Sequence, residues 1–135
     1  MRRRAWLLLP LLALDCRSRP PAAGALLPEN LAGDWHRGEI RELPPESVPP
    51  EVAHATLRQA LEAMYEGPAS VQVDLFVLSS SAAGLDLAQR WRPAADTVFF
   101  YQGNYFVVVR WRNFDRQRLT VFLRALQRHL ASFAK

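Results

Sequence analysis

Residues 97–111, TVFFYQGNYFVVVRW, decide the fold. Two runs rich in β-branched and aromatic residues flank Gly103-Asn104. A two-residue Gly-Asn loop between such runs closes a β-hairpin. The spacing pairs Gln102 with Tyr105, Phe100 with Val107 and Val98 with Val109. Side chains alternate between faces along a strand, so Phe99, Tyr101, Phe106 and Val108 share the other face. Both faces are apolar. These strands are therefore central and covered on both sides, or covered on one side and used for contact on the other.

Working outward, Val71–Leu78 (VQVDLFVL) reads as a strand with Val71, Val73, Leu75 and Val77 on one face. Ser79-Ser80-Ser81 follows, and serine at a helix start caps free backbone N–H groups. Residues 82–91 read as a helix that Pro93 stops, with Asp86 early and Arg90 late, as the helix dipole favours. Downstream, Asp115–Phe133 is an amphipathic helix. Leu119, Phe122, Leu123, Leu126, Leu130 and Phe133 form its stripe. Upstream, Glu51–Tyr65 reads as a further helix with Val52, Leu57, Leu61, Met64 and Tyr65 on one side, ended by Gly67-Pro68. Pro44–Pro50 is a rigid connector. Asp34–Leu43 is a strand or edge hairpin anchored by Trp35 and Ile40. The expected class is α+β: a mainly antiparallel sheet with helices packed on it, including the long C-terminal helix.

The N-terminus has a different character. Arg2, Arg3 and Arg4 precede the apolar run Ala5–Leu14 (AWLLLPLLAL). Ten apolar residues suit an export signal and fall short of the roughly 20 needed to span a bilayer. Residues 1–16 are therefore expected to be a leader. Cys16 is a candidate lipid attachment point, although Asp15 stands where lipoprotein signals carry a small residue. A competing cleavage site follows Ala23-Gly24-Ala25. Residues 17–28 read as a Pro/Ala-rich linker and 29–135 as one α+β domain. With a single cysteine, no internal disulfide can form.

The pI near 10.0 belongs largely to the leader. The first 28 residues hold five arginines against one aspartate, whereas residues 29–66 hold three arginines against eight carboxylates. From residue 29 onward the chain is close to neutral, which argues against a nucleic-acid partner.

Chemistry-bearing residues are sparse. His36, His54 and His129 lie in different elements without metal-ligand spacing, so no metal and no cofactor is expected. Ser80 or Ser81 sits at a strand-to-helix turn but lacks the Gly-x-Ser-x-Gly frame of a nucleophile elbow. A serine hydrolase using either with a distant histidine is the alternative reading. No paired carboxylates are held in an evident pocket, and no catalytic residue is assigned. Basic residues interleaved with aromatics are the candidate binding surface: Arg110, Trp111, Arg112, Phe114 and Arg116.

The stretches LLPENLAGDWHRGEIREL, VQVDLFVLSSSAAGLDLAQRW and VFFYQGNYFVVV resemble a group of exported bacterial proteins of unknown function. Their mature part opens with Leu-Pro and a Gly-x-Trp-like segment, and here Asp34 is inserted between Gly33 and Trp35. The resemblance implies export and an α+β domain, and it brings no catalytic residue. The resulting expectation is a periplasmic or lipid-tethered envelope domain that binds a ligand or an envelope protein and is not an enzyme. An oligomerising scaffold is a further alternative.

Overall fold

Strand β4 (Ser70–Leu78) lies inside the sheet and is paired along both edges for most of its length. On one side it meets β3 (Leu57–Glu66), and on the other β6 (Tyr105–Trp111). The computed structural model describes residues 20–112 and 115–134. Around β4 the remaining strands complete a six-stranded antiparallel sheet. They are β1 (Asn30–Leu31), β2 (Trp35–Glu42) and β5 (Thr97–Gln102), and the order is β1-β2-β3-β4-β6-β5. Helix α1 (Ala23–Leu26) precedes the sheet, α2 (Ser81–Arg90) joins β4 to β5, and α3 (Arg116–Ala131) ends it. The architecture is α+β with the long C-terminal helix, as the hydrophobic patterning requires.

The 97–111 hairpin has the expected register: Gln102 faces Tyr105, Phe100 faces Val107, and Val98 faces Val109. Gly103 takes the positive φ, 58°, that this turn demands. Only β6 is central, however. Its residues 105–109 are all buried, while β5 forms the edge of the sheet with half-buried side chains.

The expected helix over 51–65 is replaced by β3. Leu, Glu, Ala and Met favour a helix in isolation, but that preference is worth only tenths of a kcal/mol per residue. It loses to a long ladder with β4 that runs from Leu57↔Leu78 to Glu66↔Ser70. The ladder sends Leu61, Ala63 and Tyr65 to one core and Ala60 to the other. Gly67 turns the hairpin under the chain entering β2. A Cβ there would lie 2.4 Å from the Asp34 carbonyl oxygen. The Pro44–Pro50 connector contains one 3-10 turn, Pro45–Ser47.

Two cores flank the sheet. Helix α3 covers the first with Leu119, Phe122, Leu126 and Leu130, packed on Val71, Val73, Leu75, Val107 and Val109. Phe122 meets Trp35 and Tyr65 edge-on, at centroid distances of 5.1 and 5.3 Å. Leu26 and Leu27 are fully buried in this core, so the end of the Pro/Ala-rich stretch is packed rather than free. Tyr65 secures it by donating its hydroxyl to the Pro28 carbonyl at 2.8 Å, and Arg37 donates to the Leu27 carbonyl. Burial raises the Tyr65 phenol above its ordinary pKa, so it stays a donor.

The second core is smaller. Helix α2 and the 43–52 connector bring Leu87, Val48 and Val52 over Phe76, Leu78, Phe106 and Val108. Ser80 caps α2, accepting from the Ala83 N–H at 3.1 Å. Phe99 stacks on Phe106 at 5.5 Å, and Trp91 closes over both rings. Gly84 lets the helix reach the hairpin turn, since a Cβ at that position would stand 2.5 Å from the Gly103 carbonyl oxygen. That oxygen is backbone and cannot swing away. Gly84→Ala is therefore expected to destabilise the protein by about 1–3 kcal/mol despite alanine's better helix propensity. Chemical denaturation checks this; an unchanged or raised midpoint would show that α2 lifts off the turn freely.

Candidate functional site

Directly paired residues of an antiparallel sheet share a face, and this orders the second face into rows. The row Ala60, Phe76, Phe106, Tyr101 is apolar. The next row is Arg41, Glu62, Asp74, Val108, Phe99. The one after it is Met64, Gln72, Arg110, Thr97. Helix α2 and the connector cover the apolar end. The polar end stays open as a trough.

Two adjoining cavities form that trough. One, of 820 Å³, is lined by Met64, Gln72, Arg110 and Arg112, with the 94–97 loop as its far wall. The other, of 360 Å³, is lined by Arg41, Glu62, Gln72, Asp74 and Arg110, with Pro44 and Ser47 at its rim. Gln72 and Arg110 stand in both and separate them.

Asp74 is the floor. It is only 6% exposed and is the one charged residue buried among the described residues. Gln72 Nε2 donates to Asp74 Oδ1 at 3.1 Å and to Glu62 Oε2 at 3.2 Å, so one amide clamps two carboxyls. Arg110 Nη2 lies 3.9 Å from Asp74 Oδ2, too far for a hydrogen bond but close enough for attraction. Glu62 in turn pairs with Arg41, and this bond and charge raise the Arg41 guanidinium further above its ordinary value. The Asp74 carboxyl is itself raised above 3.8. Burial is the main cause; the Gln72 hydrogen bond opposes it, Glu62 adds to it, and Arg110 opposes it.

The candidate binding surface is divided by strand alternation. Arg110 and Arg112 both line the larger cavity. Trp111, between them, borders the cavity but packs its side chain against the α3 core. Arg116 opens α3, which covers the opposite face of the sheet. Phe114 and Cys16 lie outside the described residues. The sequence reading missed Glu62, Gln72 and Asp74. The available signal was Asp74, the one charge in a strand whose other residues beyond Gln72 and Ser70 are apolar.

Two of the three histidines and Ser80 are engaged locally, while His54 borders a separate cavity beside Pro44 and Leu57. His36 shares a hydrogen bond with Asn30 at 2.7 Å, and His129 contacts the Ala25 carbonyl. The Ser80 hydroxyl serves the α2 cap. Among the described residues, no three His, Cys, Asp or Glu side chains could hold a metal ion, and no helix is long and apolar enough to cross a membrane. Compared with protein-family models, curated proteins and solved structures, the chain matches none.

What the arrangement can do chemically is hold a polar ligand against a prearranged lattice of donors and acceptors. Asp74 also sets a pH signature. Its folded pKa exceeds 3.8, so the folded protein holds this proton more tightly than the unfolded chain. The group therefore subtracts stability as pH rises from 3.8 through its folded pKa, and by a constant amount above it. Asp74→Asn keeps the acceptor for Gln72 and removes the charge. The substitution is expected to raise the melting temperature at pH 7 relative to the parent, with the gain shrinking toward pH 4. Melting curves across that range check it, and a loss at neutral pH would show that Arg110 outweighs burial.

Proposed function

We propose that this protein is an exported binding domain, not an enzyme, that takes its ligand in the trough on the open half of the sheet. The observation that carries the reading is the division of one sheet face. Its apolar half is covered by α2, while its polar half, floored by a clamped carboxyl and flanked by two arginines, is left open. Covering that half with protein would cost the desolvation of several charges. A ligand that brings complementary groups avoids that cost.

Support for a binding rather than a catalytic role comes from the side chains. Glu62 and Asp74 are each held by Gln72, and Glu62 is also paired with Arg41. Such groups orient and discriminate. The serine-hydrolase alternative, with Ser80 or Ser81 and a distant histidine, would need Ser80 to leave its cap or the exposed Ser81 to act from the first turn of α2. Support for export comes from residues 1–16, where three arginines precede ten apolar residues, with Cys16 as the lipid attachment point of a membrane-tethered form.

Two measurements test these readings. In nuclear magnetic resonance of the isotope-labelled protein, a panel of small polar compounds should shift the amides of Gln72, Asp74 and Arg110 selectively. Shifts confined to α3 or β1, none at all, or turnover of ester, peptide or phosphate substrates would overturn the binding proposal. Intact mass of the protein from its own cells should show a species beginning at Cys16 with lipid attached, or one beginning near Leu26. A species retaining Met1 would overturn export by cleavage.

A further inference from the structure

We infer that the larger cavity takes the anionic head of a small amphiphile: Arg110 and Arg112 hold a carboxylate or phosphate ester, and the apolar body runs over Gln72 to Met64. This deepens the trough reading and rests on it.

Arg110 lies in β6 and Arg112 one residue past its end, and both line the cavity. Arg112 has no ion-pair partner among the described residues. Arg110 is 56% exposed, and its nearest carboxylate oxygen is beyond hydrogen-bond length. Two guanidinium groups thus offer donors to the cavity, and forked donors of this kind match the planar oxygens of a carboxylate or phosphate.

The walls argue for an apolar body. Met64 is one of four large hydrophobic side chains left exposed in the described structure, at 38%, and it sits in the row of Gln72 and Arg110. Methionine adapts its shape to what it touches. At the opposite end of that row, beyond Arg110, the loop before β5 closes the cavity with Ala94 and Ala95. That loop is pinned: Asp96 adopts a left-handed φ of 56°, and its carbonyl accepts from the Trp111 N–H at 3.2 Å. Asp96 is the one carboxylate lining this cavity, against two arginines. An inorganic anion would leave the apolar wall wet, and a neutral lipid tail would leave the arginines unanswered. An amphiphilic anion satisfies both, whether free or carried in a bilayer as a lipid headgroup.

Calorimetric titration of the whole protein, as processed by its own cell, tests the assignment with octanoate, octanol and inorganic phosphate as probes. Octanoate should bind on the order of tenfold more tightly than octanol, as one charge-assisted hydrogen-bonded contact provides. It should also bind more tightly than phosphate, and weaken as salt is added. Arg112→Gln, an exposed site whose loss leaves the core intact, should weaken octanoate by a similar factor, with Arg112→Lys intermediate. Arg128→Gln on α3, outside the trough, should leave binding unchanged.

Octanol binding as well as octanoate, or Arg112→Gln without effect on octanoate, would overturn the ligand class while leaving the trough intact. Silence of every probe together with a blank small-molecule panel would overturn both. Co-sedimentation with phosphatidylcholine vesicles, with and without phosphatidylglycerol, identifies the source. Association that needs phosphatidylglycerol and is competed by octanoate assigns a lipid headgroup, and octanoate binding without vesicle association assigns a free amphiphile.

Discussion

Everything in this fold hangs on β4 being paired along both edges. A strand flanked on both sides has no free backbone groups to present, so its side chains alone determine what lies above and below it. Val71, Val73 and Leu75 turn to α3, and Phe76 and Leu78 turn to α2. Gln72 and Asp74 share a face with Phe76 but lie toward the other end of the strand. A period of two thus produces one wholly apolar face and one face split lengthwise. The split determines where α2 can sit, because a helix bearing Leu87 and Ala83 gains nothing over Asp74. The trough is what this pairing leaves uncovered.

The elements that could be read in advance are those whose information is local. The 97–111 hairpin is specified by its Gly-Asn turn and its two faces, α2 by a serine cap and a following proline, and α3 by an apolar stripe sustained over four turns. Segment 57–66 could not be read this way. LRQALEAMYE carries helix-forming residues, and its strand identity resides in its partner, VQVDLFVL, across a three-residue loop. Weighing the short Gly67-Pro68-Ala69 connection against propensity would have pointed to a hairpin. Leu26 and Leu27 were hidden for a related reason. Proline and alanine around them suggest a linker, and only the tertiary contacts of Tyr65 and Arg37 show them buried.

The site was half legible. Arg110 and Arg112 stood out as basic residues, and they do line one cavity. Their grouping with Trp111 and Arg116 did not survive, because neighbours in sequence alternate faces in a strand and α3 departs on the far side of the sheet. Glu62, Gln72 and Asp74 come from a strand read as a helix and from a strand read for its apolar face. Their convergence depends on the β3–β4 register, and a shift of one residue would send Asp74 into the α3 core. The ladder with Glu62 opposite Asp74 is therefore part of the site as much as of the scaffold.

That dependence bears on why a costly carboxyl sits at the centre of the sheet. A buried group with a raised pKa weakens the fold at neutral pH, and a neutral amide would serve the hydrogen bond from Gln72 without that cost. What the carboxyl adds is a counter-charge that draws Arg110 across the trough without closing a hydrogen bond on it, at 3.9 Å. A guanidinium held by attraction but not saturated is oriented and still has donors to give. Full pairing would silence it, and a neutral neighbour would let it drift into solvent with the rotamer freedom of an exposed arginine. Under the proposed reading, stability is traded for a positioned, unsaturated donor, as is common in binding sites.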